Sequence, residues 1–92
     1  MKKAAPKAAV TVIAAQVDVG FGNELFIRGE GPGLSWEKGV LMTCVSDDRW
    51  STVIANANQP ITCKFLLNDL MWCAGENFVV IPGHSVSLVP AF

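Results

Sequence analysis

The chain has 92 residues, 51% of them hydrophobic and 16% charged, with 7 Lys and Arg set against 8 Asp and Glu. That is the length of one small domain, with room for one hydrophobic core and little beyond it. A net charge of −1 with scattered lysines and arginines argues against nucleic acid as a partner, because phosphate binding needs clustered cations. No run approaches the roughly 18 apolar residues of a membrane-spanning helix, so no membrane partner is expected. The three cysteines, Cys44, Cys63 and Cys73, form no CxxC pair. They read as reduced packing residues of a cytoplasmic protein rather than a disulfide framework or a zinc site.

Residues 1–9, Met-Lys-Lys-Ala-Ala-Pro-Lys-Ala-Ala, form a basic stretch of low complexity that reads as a flexible leader. The alternative is a signal peptide with Lys2 and Lys3 as its charged end and Ala8–Ala15 as its apolar stretch, which would make the protein secreted. Pro6 and Lys7 interrupt that pattern, and Val10, Val12, Val17 and Val19 already look like a first strand. From there the chain reads as β throughout residues 10–92, a single domain. Runs rich in β-branched and aromatic residues fall at Val10–Val19, Leu25–Arg28, Val40–Val45, Trp50–Ile54, Ile61–Leu67, Phe78–Ile81 and Val86–Val89. Glycine, asparagine, aspartate and proline cluster between them as turns. Along Ile61–Leu67, Ile61, Cys63, Phe65 and Leu67 share one face while Thr62, Lys64 and Leu66 share the other. About seven short strands in so short a chain predict an all-β, antiparallel β-sandwich.

The catalytic inventory is thin. His84 is the single histidine and there is no tyrosine; no GxSxG, no HExxH and no phosphate-cradling glycine loop is present. Gly29-Glu30-Gly31-Pro32-Gly33 superficially matches a dinucleotide fingerprint, but no helix follows and Pro32 marks a turn. The expectation is a noncatalytic protein without cofactor or metal, in which His84 is a turn residue and Arg28 and Arg49 are surface charges.

The order of the remaining motifs is more informative. Gly22-Asn23-Glu24-Leu25-Phe26-Ile27-Arg28-Gly29 is followed by Leu34-Ser35-Trp36-Glu37-Lys38-Gly39 and Asp48-Arg49-Trp50. Then come Cys63-Lys64-Phe65-Leu66-Leu67-Asn68-Asp69 and Trp72-Cys73-Ala74-Gly75-Glu76-Asn77. Over about residues 15–82 this series resembles the starch-binding and glycogen-binding carbohydrate-binding modules. The resemblance implies an immunoglobulin-like β-sandwich and an α-glucan site made by two tryptophans, a lysine and an asparagine. Carried onto this sequence, the stacking tryptophans are Trp36 and Trp72, the lysine is Lys64 and the asparagine is Asn77, while Trp50 takes the place of a core tryptophan. Cys63 departs from the pattern, since an aromatic residue usually precedes the lysine. The segment Asp69–Trp72 is also short, and no aromatic residue is left over to mark a second glucan site.

The chemistry of such a site is elementary. One face of a pyranose ring presents C–H groups, and an indole face is apolar and electron-rich, so the two stack. Two indoles side by side can hold consecutive glucose units of starch, glycogen or a malto-oligosaccharide, with Lys64 and Asn77 bonding hydroxyls. The partner expected is therefore an α-glucan, together with a glucan-active enzyme that the module would serve. The rival expectation is a protein-interaction or regulatory sandwich that keeps the fold without sugar binding and uses the apolar Phe21, Leu70 and Met71.

Overall fold

The computed structural model describes residues 10–92, and the leader expected at residues 1–9 lies outside them. Among the described residues there is no helix, and so none long and apolar enough to cross a membrane. The strands are β1 (Val10–Gln16), β2 (Leu25–Glu30), β3 (Val40–Leu41), β4 (Thr43–Ser46), β5 (Arg49–Ala55), β6 (Ile61–Leu67), β7 (Met71–Trp72), β8 (Phe78–Val80) and β9 (Ser85–Leu88). They make a four-stranded sheet in the order β4-β5-β1-β9 and a five-stranded sheet in the order β3-β2-β6-β7, with β8 also paired to β6. All pairings are antiparallel except β1 with β9, which run parallel.

Alternation explains how each sheet contributes to one core. Thr11, Ile13 and Ala15 of β1 are fully buried, as are Leu25 and Ile27 of β2 and Ile61, Cys63 and Phe65 of β6. Residues of both sheets, with Trp50, Ile54 and Val80, join in one cluster, so the sheets pack face to face. Burying each of the large apolar side chains, such as Ile13, Leu25 or Phe65, contributes roughly 1.5–3 kcal/mol. Among the described residues Thr11 is the one buried polar residue, and its hydroxyl accepts the Gly83 N–H at 3.0 Å, which satisfies it.

Beyond the parallel β1–β9 pair, which departs from the antiparallel expectation, the fold differs from the sequence reading in four places. Nine strands replace about seven, chiefly because the run Val40–Val45 is two strands. Val40–Leu41 pairs with β2, whereas Thr43–Ser46 pairs with β5 in the other sheet. Met42, 2% exposed, is the pivot, and its N–H reaches the Leu25 carbonyl. The second difference is β7, a two-residue strand in a stretch where the sequence reading placed none. Third, β2 runs on through Gly29 and Glu30, and a Cβ at Gly29 would collide with the Thr62 carbonyl oxygen and the Cys63 backbone. This glycine is a strand residue that leaves room for its neighbour. Fourth, the cysteines divide: Cys63 and Cys73 are buried but Cys44 is exposed. Burial pushes the Cys63 thiol up to about 12, with neighbouring Cys73 adding to the shift.

Candidate functional site

The outer face of the five-stranded sheet is built from the side chains that alternate away from the core. Phe26 stands opposite Leu41 on one side and Leu66 on the other, and Leu66 stands opposite Trp72. These four residues form a cross-strand row of the kind that stabilises a sheet face. Leu66 is only 1% exposed although it points outward, because large neighbours flank it on both sides. One step along, Arg28 stands opposite Lys64.

Trp36 reaches this face from the β2–β3 loop. The loop is held by a turn in which the Leu34 N–H donates to Gly31 O, and by the Gly29 N–H donating to Ser35 O. The Ser35 hydroxyl accepts the Lys38 N–H and donates to the Lys38 carbonyl, while Leu34 packs on the core. The Trp36 indole N–H donates to a Glu30 carboxylate oxygen at 2.9 Å. Its ring lies 6.2 Å from the ring of Trp72, centroid to centroid, at a tilt of 35°, inside the range in which aromatic rings attract one another. Trp36 is half-buried and Trp72 is 44% exposed, so the pair is anchored yet open to solvent.

Trp72 enters through the β6–β7 turn. Asn68 and Asp69 both take positive φ, 54° and 56°, and the Leu70 N–H closes the turn on Leu67 O. Asparagine and aspartate tolerate that conformation better than other residues with side chains. Asn68 is held there by its backbone N–H to Glu24 O, by its side-chain oxygen accepting the Glu24 N–H, and by its amide donating to Asn23. The turn thereby aims the Asp69 carboxylate back across the sheet. One oxygen accepts Arg28 Nε at 2.9 Å and the other accepts the Gly39 N–H at 3.1 Å. The hydrogen bond from Arg28 is the main cause that holds the Asp69 carboxyl below its usual range, with the Gly39 N–H and the nearby cations adding to it.

Of the residues singled out from sequence, Trp36 and Trp72 meet directly. Lys64 shares their sheet face, and its ammonium donates to Gly75 O. Asn77 is exposed beside Phe78, whose pairing with Cys63 carries Asn77 next to Lys64. Trp50 is a core residue, 6% exposed. Arg28 is not the surface charge that the sequence suggested. Its side chain is 17% exposed, it is bonded to Asp69 and to the carbonyls of Trp36 and Asp69, and its guanidinium carbon lies 5.4 Å from the Trp72 ring centroid. A sequence signal existed in the opposite charges of Arg28 and Asp69, but it takes the β6–β7 turn, which carries Asp69 back over the sheet, to bring the two together.

A separate open groove of about 690 Å³ is lined by the loop Asp18–Glu24 together with Cys44, Asp47 and Trp50. It contains none of Trp36, Lys64, Trp72 and Asn77. Concavity and aromatic stacking thus select different places. The aromatic pair, not this groove, brings together the tryptophans singled out from the sequence.

No protein-family model matches the chain, and no curated protein matches it. Among solved structures, a glycoside hydrolase family 15 glucoamylase from Hypocrea jecorina has a similar fold, with a TM-score of 0.77 at 15% sequence identity. The match covers 97% of this chain and 18% of the glucoamylase chain, so this chain spans less than a fifth of that protein. At that identity the likeness speaks to the fold.

Proposed function

We propose that the chain is a noncatalytic carbohydrate-binding module with an immunoglobulin-like sandwich fold, which holds α-glucan on the outer face of its five-stranded sheet. The observation that carries this reading is the pair Trp36 and Trp72, 6.2 Å apart and accessible, with Lys64 on the same face. The fold likeness to a stretch of a glycoside hydrolase supports a carbohydrate role, as does the order of motifs in the sequence. Each indole that covers on the order of 50–70 Å² of sugar contributes roughly 1–2 kcal/mol. Hydroxyl bonds from Lys64 and Asn77 add about 0.5–1.5 kcal/mol apiece. The sum, about 3–7 kcal/mol, corresponds to a dissociation constant of roughly 10 μM to several millimolar. Such weak binding suits a module that keeps a glucan-active enzyme near a polymer with many equivalent sites.

The test is a tryptophan-fluorescence titration with maltoheptaose and β-cyclodextrin, using the wild type, Trp36→Ala and Trp72→Ala. Saturable quenching that both substitutions abolish in folded protein is the expected result. No response of the wild type at millimolar sugar overturns the reading. That outcome would turn attention to the second reading, a protein-interaction domain, which the exposure of Phe21 (97%), Leu70 (82%) and Met71 (55%) favours.

A further inference from the structure

The geometry points to Arg28 as the positioning residue of the aromatic pair, one that fixes the distance and tilt of Trp36 and Trp72 before any ligand arrives. Four contacts converge on this side chain. Nε and Nη2 donate to the Asp69 carboxylate and carbonyl at 2.9 and 3.2 Å, and Nη1 donates to the Trp36 carbonyl at 3.1 Å. The guanidinium carbon stands 5.4 Å from the centroid of the Trp72 ring, within cation–π range. One rigid, planar group therefore touches the backbone of the first tryptophan, the ring of the second, and the turn that leads into the second.

The surroundings leave this group little freedom. Asp69 is held in turn by the Gly39 N–H, and a Cβ on Gly39 would run into the Asp69 carboxylate and the Phe26 Cβ. Glycine at position 39 thus makes the space in which the carboxylate sits. Asp69 itself keeps a left-handed backbone, φ 56°, a conformation that costs a residue with a side chain and persists where its surroundings over-determine it. The β2–β3 loop and the β6–β7 turn, about 30 residues apart in sequence, are joined through Arg28. A lysine could supply the charge but not the fork of donors, which is what this junction uses.

A preformed pair loses less conformational freedom on binding than one assembled around its ligand. The consequence for ligand affinity rests on the carbohydrate reading; the positioning role does not. The two are separated by reading the indole–indole exciton couplet in the far-ultraviolet circular dichroism of the ligand-free protein, which depends on the mutual distance and angle of the rings. Arg28→Met and Arg28→Lys are compared with the wild type and with Arg49→Met, a control in β5; urea unfolding of each shows that it is folded. The expected result is loss of more than half of the couplet in both Arg28 variants and none in Arg49→Met. A drop of about tenfold in maltoheptaose affinity is expected alongside it. An unchanged couplet in folded Arg28→Met overturns the proposal. If Arg28→Met does not fold, an unchanged couplet in Arg28→Lys overturns it instead. Failure of the wild type to bind maltoheptaose would sink the carbohydrate reading and leave the couplet as a test of Arg28.

Discussion

The two outer faces of the sandwich are made from the same kind of strand and end up chemically different. On the four-stranded sheet, Val12 stands between Val53 and Ser85, and Ala14 stands between Ser51 and Ser87. These central side chains are small and uncharged, and the long pair on this face, Gln16 opposite Arg49, stands at its end. On the five-stranded sheet the equivalent positions carry Phe26, Arg28, Lys64, Leu66 and Trp72, and the β2–β3 loop adds Trp36. The difference is one of reach. Long side chains on a sheet face can touch residues two strands or a loop away, so they can assemble a site that no single strand contains. Gly39 accompanies that side, where a Cβ would strike the Asp69 carboxylate.

The comparison can be broken most severely from beneath. Phe65 is fully buried under the five-stranded sheet and packs against Phe78, with ring centroids 5.5 Å apart. Phe65→Ala is expected to destabilise the protein by about 3–5 kcal/mol, seen as a lower urea midpoint, since it leaves a cavity as well as losing apolar burial. Gly39→Ala acts on the outer face alone. Its added methyl group crowds Asp69 and Phe26, and overpacking of this kind costs about 1–3 kcal/mol. Its effect should appear in the urea midpoint together with a weakened indole couplet.

Much of this architecture could be read from the amino-acid order, and the limits have physical causes. Alternation along Ile61–Leu67 and the β-branched run at Val10 located β6 and β1, because a half-buried strand must repeat every two residues. The same rule could not divide Val40–Val45. Both halves are β-rich, and the switch between sheets at Met42 is decided by which neighbour each half finds. Trp36 and Trp72 were legible as candidates from their motifs. Arg28 was not, since its partners are a carboxylate 41 residues away and a carbonyl on a loop. Leu66 was grouped with Thr62 and Lys64 on one face of β6, but its burial depends on Phe26 and Trp72 across two strand pairings. What sequence spacing records is which face a residue takes; which distant side chains cover it is set by register.

Smaller perturbations sharpen the contrast. Asp69 is held below its ordinary pKa of 3.8 by the Arg28 hydrogen bond above all. A carboxylate whose folded pKa is lowered contributes stability above its unfolded pKa, and that contribution is lost as pH falls through the folded value. The wild type should therefore lose more stability than Asp69→Asn when acidified from neutral pH to below the carboxylate range, as compared by urea midpoints. The least effect belongs to the plain face. Val53→Thr and Ser87→Ala should each change stability by no more than about 0.5 kcal/mol and leave any glucan affinity as it was, measured by the same fluorescence titration.

The most direct test of the central claim uses the three indole N–H groups as separate reporters. In a nitrogen-15 NMR titration of the protein with maltoheptaose, the indole signals of Trp36 and Trp72 should move together and saturate. That of Trp50, buried in the core, should stay in place. If Trp50 alone responds, or if none of the three moves at millimolar sugar, the outer face of the five-stranded sheet is not a glucan site.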